Sequence, residues 1–150
     1  MGRWAKPIIV ALIVVIGATL IWWQMAVDRS YVYIDNTKYS LIGIEESEKD
    51  RRRGLGGMED MPESSAMLFV FPQEGDWGFW MKDMDFAIDI LWLDTQGTVV
   101  YMVRDVQPSS YPTTFKPDNK RARYVIELRS GTIERTGIRE GSKAKMPLGI

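Results

Sequence analysis

The tetrapeptide Phe79-Trp80-Met81-Lys82 places an indole and an ammonium two positions apart. In an extended chain, residues i and i+2 share a face. Trp80 and Lys82 would then stand together, with Phe79 and Met81 opposite. An aromatic platform beside a cation suits a sugar ring or an acidic ligand. The plainer alternative makes one face core and lets the Lys82 stem cover apolar surface with its head in water.

Carboxylates are the second source of chemistry: Asp83, Asp85, Asp89, Asp94 and Glu127. Asp89 falls inside Ile88-Asp89-Ile90-Leu91-Trp92, where a buried charge is costly unless paired. As a structural residue it would form an ion pair with Arg53, Lys82 or Arg123. As a functional one it would be a general acid or base with a shifted pKa. With a second carboxylate at the right separation it could hydrolyse a glycoside.

Two further patterns could bind ligands. Met58-Glu59-Asp60-Met61 and Met81-Lys82-Asp83-Met84 are both Met-x-x-Met. Thioethers select Cu(I), so Met58, Met61, Met81 and Met84 form a candidate copper set. Methionine also fills core gaps without any such role. Arg53 ends the run Arg51-Arg52-Arg53, preceded by Glu45, Glu46, Glu48 and Asp50. That spacing suits a solvated helix face with charge pairs three and four residues apart. Arg53 could also clamp a carboxylate or phosphate through two parallel hydrogen bonds.

What the chain lacks narrows the chemistry. It has no Cys and no His. Cysteine nucleophiles, Ser-His-Asp triads and zinc sites built on His or Cys are excluded. No cofactor is expected, since no Gly-rich phosphate loop or dinucleotide fingerprint is present. The net charge is −1, and Arg3 and Lys6 are the only charged side chains before Asp28. The part from Asp28 onward is therefore net acidic, with no electrostatic footprint for nucleic acid.

The elements that must position these residues are short strands. Residues 31–34 and 38–44 are β-prone around the turn Asp35-Asn36-Thr37. Ser47 caps a short helix over residues 48–55, stopped by Gly56-Gly57. Strands are expected at 67–71 (ended by Pro72), 77–82, 88–93 and 98–106. Asp94-Thr95-Gln96-Gly97 is the turn between the last two. Residues 107–122 are irregular, with Pro108, Pro112 and Pro117. A strand at 123–128, a helix at 131–136 closed by Gly137, and a final strand at 143–146 complete the chain. The spacing suggests a meander. The expected fold is mainly β: a small β-sandwich or partly closed barrel with two short helices.

Residues 8–27 carry no charge and are long enough, as a helix, to cross the roughly 30 Å hydrocarbon core of a bilayer. Trp4 lies before this stretch, and Trp22 and Trp23 lie near its far end, where indoles favour the headgroup level. Arg3 and Lys6 put the N-terminus in the cytoplasm. The bond after Ala26, preceded by Trp22-Trp23-Gln24, makes a poor signal cleavage site. The expectation is a single-pass anchor, residues 1–27, carrying an extracytoplasmic β domain, residues 28–150.

Several segments together resemble a known family. They are Arg53-Gly54-Leu55, Met67-Leu68-Phe69-Val70-Phe71, Phe79-Trp80-Met81-Lys82, Ile88-Asp89-Ile90, Asp94 with Gly97, Tyr124-Val125-Ile126-Glu127-Leu128, and Gly137-Ile138 with Gly141. In this order they resemble the prokaryotic family called domain of unknown function 192, from Tyr39 to Lys145. The resemblance implies a compact β-sandwich-like domain, often behind a signal or anchor, and no agreed activity. Three positions depart from the family pattern. Gly56 stands where Met is usual, Asp83-Met84 where Asn-Thr is usual, and Ala87 where Pro is common.

The expected ligand-binding set is Arg53, Trp80, Lys82, Asp89 and Glu127. The expected role is an envelope binding module for a glycan, a small acidic ligand or a membrane-protein partner. The alternatives are a carboxylate-dependent hydrolase of envelope carbohydrate and a Met-based Cu(I) protein. A groove lined by Trp80, Lys82 and the Pro-rich loop would serve the first reading. Asp89 sharing a cleft with another carboxylate would serve the second.

Overall fold

Continuous apolar runs, rather than alternation, mark the strands at the centre of this molecule, because both of their faces are covered. The structure, a computed structural model, describes residues 14–17, 30–147 and 150. Residues 14–17 are helical. The rest of the expected anchor, residues 8–27, lies outside the described residues. Among the described residues, no helix is long and apolar enough to cross a membrane.

Seven strands form one mixed sheet. They are β1 (Tyr31–Ile34), β2 (Thr37–Glu45), β3 (Ser65–Gly75), β4 (Ile88–Leu93), β5 (Val99–Val106), β6 (Ala122–Arg129) and β7 (Ala144–Lys145). Two short helices, α1 (Glu48–Arg53) and α2 (Thr132–Thr136), and a 3-10 turn at Pro108–Ser110 connect them. The spatial order is β5-β4-β6-β3-β2-β1-β7. The sheet curls into a half-barrel. The hairpins β1–β2 and β4–β5 follow from their turns.

The expected meander is corrected by β6, which inserts between β3 and β4 and pairs antiparallel with both. Its apolar run, buried from Tyr124 to Leu128, belongs in the middle of the sheet, where turn signals say nothing about long-range pairing. β2 and β3 are parallel, joined through α1. A parallel pair needs a crossover, and α1 supplies it.

The curl is laced together at one end. The Val99 amide donates to Ser142 O (2.9 Å), and the Ala144 amide donates to Gly97 O (2.7 Å). Thr98 and Lys143 form an isolated bridge there. Gly97 is required at this contact: its φ is +71°, and a Cβ would lie 2.3 Å from Ala144 O.

Two apolar clusters lie on the two faces of the sheet. The inner one gathers buried residues from all seven strands, including Tyr39, Leu68, Leu91 and Ile126, with Ile133 of α2. The outer one joins Phe69, Phe71, Ile90, Trp92 and Val125 to side chains of the covering loops, among them Leu55, Met61, Phe79 and Met81. Each large side chain fully buried in this way contributes about 1.5–3 kcal/mol.

The segment expected as a strand at residues 77–82 is instead a strap across the outer cluster. Its only ladder contact among the described residues is the bridge Phe79–Phe115. The alternation nevertheless holds, with Phe79 and Met81 buried and Trp80 and Lys82 exposed. Aromatic packing replaces sheet pairing. Trp77 stacks on Phe71 at 4.2 Å, and Phe79 meets Phe69 edge-on at 4.9 Å. Trp77 Nε1 donates to Ala122 O, and Trp92 Nε1 donates to Trp77 O, at 3.0 and 2.8 Å. β3 also runs through Pro72 rather than ending there, because a register break between Val70 and Gly75 accommodates it.

Candidate functional site

Ser47 starts α1 by accepting a hydrogen bond from the Asp50 amide (3.1 Å), and Gly54 ends it at φ +49°. Gly54 allows the helix end to settle on the outer cluster. A Cβ there would lie 3.3 Å from Phe69 Cζ and 3.9 Å from Glu127 Oε2. The helix therefore delivers Arg51, Arg52 and Arg53 to the edge of a cleft of about 350 Å³. Phe69, Phe71, Trp77, Phe79 and Trp80 wall it, Lys82 also lines it, and the buried Glu127 lies at its base.

The three arginines differ. Arg51 Nη1 donates to Val70 O (3.0 Å) and to Glu46 O, and its guanidinium sits 4.8 Å from the Phe71 ring centre. It pins α1 to β3. Arg52 pairs with Glu48 at 2.6 Å, both largely in water, which is worth little. Arg53 and Lys82 are exposed and form no ion pair among the described residues.

Glu127 sits mid-strand in β6, opposite Met67 of β3 and Ile90 of β4. It is buried, and its Oε2 has no hydrogen-bond partner among the described residues. Burial in this apolar face, reinforced by the nearby charge of Glu45, pushes its pKa up to about 8. Glu45 is itself raised, by burial first and then by Asp50, with Arg53 opposing. At neutral pH Glu127 is mainly a carboxylic acid, able to donate a hydrogen bond.

Asp89 is placed elsewhere. It shares its face of β4 with Leu91 and Leu93 of the inner cluster, whereas Glu127 shares its face of β6 with Val125 of the outer one. Asp89 makes no ion pair with Arg53, Lys82 or Arg123. Its Oδ1 accepts from the Asp105 amide and its Oδ2 from the Ile133 amide, both at 2.8 Å. The expected Arg or Lys pairing is corrected, because two backbone amides satisfy this carboxyl instead. A smaller recess of about 250 Å³ beside it is lined by Arg104, Asp105, Ser130, Gly131 and Glu134.

Four of the five expected residues, Arg53, Trp80, Lys82 and Glu127, thus meet in one cleft, and Asp89 does not. A glycoside-cleaving pair of Asp89 and Glu127 does not fit, because the sheet separates them. The Pro-rich loop does not line the cleft either. The Met-x-x-Met residues belong to the outer core: Met61 and Met81 are buried in it, and Met58 and Met84 are partly buried against the cluster. Only Met84 of these borders the cleft. Sequence reasoning missed Phe71 and Trp77 as walls. The available signal was the aromatic density of residues 69–80, which can be read as core alone.

Comparisons with known proteins bear on the fold. The family model DUF192, described as "Uncharacterized ACR", matches residues 32–146. A solved structure from Sinorhizobium meliloti, described as a candidate transcription regulator, has a TM-score of 0.71 at 23% identity. The match covers 77% of this chain and 91% of that one. A protein of unknown function from Novosphingobium aromaticivorans has a TM-score of 0.70 at 19% identity, covering 77% and 83% of the two chains. Both are similar in fold. No curated protein matches the sequence.

Proposed function

We propose that this chain, which belongs to the domain of unknown function 192 family, is a binding domain that takes a small acidic ligand with a flat apolar body. The observation that carries this reading is the convergence of unpaired Arg53 and Lys82 with Trp77, Phe79 and Trp80 around one cleft. Its volume, about 350 Å³, falls at the small-molecule end of the range for ligand pockets. Aromatic walls bury the body of such a ligand, and the two cations hold its acid. On sequence grounds we place the domain outside the membrane, carried by residues 8–27. The charge-free stretch and the preceding Arg3 and Lys6 support that orientation.

The test is thermal melting of the full chain in detergent micelles with aromatic carboxylates, aromatic phosphates and neutral oligosaccharides. A ligand at 100 times its Kd adds about 2.7 kcal/mol to folding stability, a shift of several degrees. Aromatic acids should raise the melting point of the wild type. They should act more weakly on Arg53→Ala and Lys82→Ala. Stabilisation by the oligosaccharides alone would replace the acid with a glycan. Stabilisation by acids that survives both substitutions would move the site elsewhere.

A further inference from the structure

The walls and rim of the cleft account for a ligand's body and its charge, but not for Glu127. A buried polar atom without a partner costs free energy that folding alone does not recover. Glu127 Oε2 is such an atom, at the base of an open cleft and directly beneath Gly54. Resting on the reading above, we propose that the buried end of the ligand carries an uncharged hydrogen-bond acceptor, a carbonyl or ether oxygen, that accepts the Glu127 carboxyl proton in a hydrogen bond.

The alternative partner for a buried glutamate is a cation, and the entrance argues against it. Arg51, Arg52, Arg53 and Lys82 line the cleft, and the one acidic side chain among the lining residues besides Glu127 is Glu48, already paired with Arg52. With Arg52 offset by Glu48 the lining is still net positive, so an entering ligand is favoured if anionic and disfavoured if cationic. Its inner end must then be neutral, and a neutral polar atom facing a carboxylic acid is best an acceptor.

The surroundings of Glu127 keep it an acid in the working range. On this face β3 offers Met67, Phe69 and Phe71, and β4 offers Ile88, Ile90 and Trp92, none of them titratable. β2 contributes Glu45, which disfavours the ionised form. α1 contributes Glu48, Lys49, Asp50 and its three arginines, the strap contributes Lys82, and β6 itself carries Arg123 and Arg129. None of these bonds to the Glu127 carboxyl. The proton is available below about pH 8 and lost above it, so binding of the acceptor end should weaken as pH rises.

The experiment uses the full chain in micelles and three naphthoates that differ at one end. They are 6-acetyl-2-naphthoate, its near-isostere 6-isopropyl-2-naphthoate, and 6-aminomethyl-2-naphthoate, with binding read by calorimetry at pH 6.5 and pH 9.5. The acetyl probe should bind about tenfold more tightly than the isopropyl probe at pH 6.5, the worth of one hydrogen bond. That preference should vanish at pH 9.5. Glu127→Gln, whose amide still donates, should keep the preference at both pH values, and Glu127→Leu should lose it. If the wild type binds acetyl and isopropyl probes equally at pH 6.5, with Arg53→Ala and Lys82→Ala weakening both, the cleft reading stands and this inference is overturned. Tightest binding by the aminomethyl probe, with proton release, also overturns it in favour of a cation. Binding by none of the three removes both readings. The wild-type comparison requires no variant to fold.

Discussion

Two carboxyl groups lie buried in adjacent strands of this sheet, and they behave as opposites. Asp89 accepts hydrogen bonds from two backbone amides, those of Asp105 and Ile133, and ties β5 and the start of α2 to β4. Glu127, on the other face, has an oxygen with no hydrogen-bond partner among the described residues and keeps its proton to about pH 8. Burial alone therefore does not separate structural from functional carboxyls. The donors around them do: a satisfied group is committed to the fold, and an orphan facing a cleft is open to a ligand.

The largest expected effect that sharpens this contrast is a pH dependence of stability. Glu127 has a folded pKa of about 8, above the ordinary carboxylate value of 4.5. Below 4.5 both folded and unfolded states are protonated, and the group takes nothing from stability. Between there and about 8 only the unfolded state ionises, so stability falls by up to about 1.4 kcal/mol per pH unit. It levels off beyond. Urea unfolding from pH 4 to 9 should show wild type losing several kcal/mol relative to Glu127→Gln. Parallel curves would mean that the group ionises freely in the folded state.

Next in size is the loss of Asp89. Asp89→Ala removes two hydrogen bonds and strands two amides, at a cost of about 3 kcal/mol. A denaturation midpoint within error of wild type would deny Asp89 its structural role. Gly97→Ala should cost about 2 kcal/mol, since its left-handed backbone and the contact with Ala144 O both resist a side chain. That loss should open the laced end of the half-barrel, read as faster amide exchange at Val99 and Ala144. Probe affinity at the cleft should stay unchanged, and a weakened affinity would couple the two ends.

The smallest effect is the most diagnostic of the cleft side. Arg53→Ala and Lys82→Ala should each move stability by less than about 0.5 kcal/mol, because both side chains are exposed and form no ion pair among the described residues. Their melting curves should overlay the wild type until an aromatic acid is added. A large intrinsic destabilisation by either would show that its stem, rather than its charge, supports the fold.

Much of this was readable before any coordinates. The apolar runs at β3, β4 and β6, the Asp35-Asn36 and Asp94–Gly97 turns, and the Ser47 cap are local physics. Backbone preference and side-chain period decide such features within a few residues. The alternation of Phe79 and Met81 against Trp80 and Lys82 was equally local, and it survived although the strand did not. The absence of His and Cys likewise excluded whole classes of chemistry without a structure.

Tertiary structure alone decided how these parts meet. Asp89 and Glu127 carry the same signal, a lone carboxylate inside an apolar run. Nothing local says that β6 inserts between β3 and β4, and so which face each carboxyl takes. Strand order is set by which faces can be buried together across the whole chain, a non-local sum that turn chemistry cannot report. That sum put Asp89 under backbone amides on one side of the sheet. It left Glu127 bare on the other, beneath a glycine, where Arg53, Trp80 and Lys82 converge.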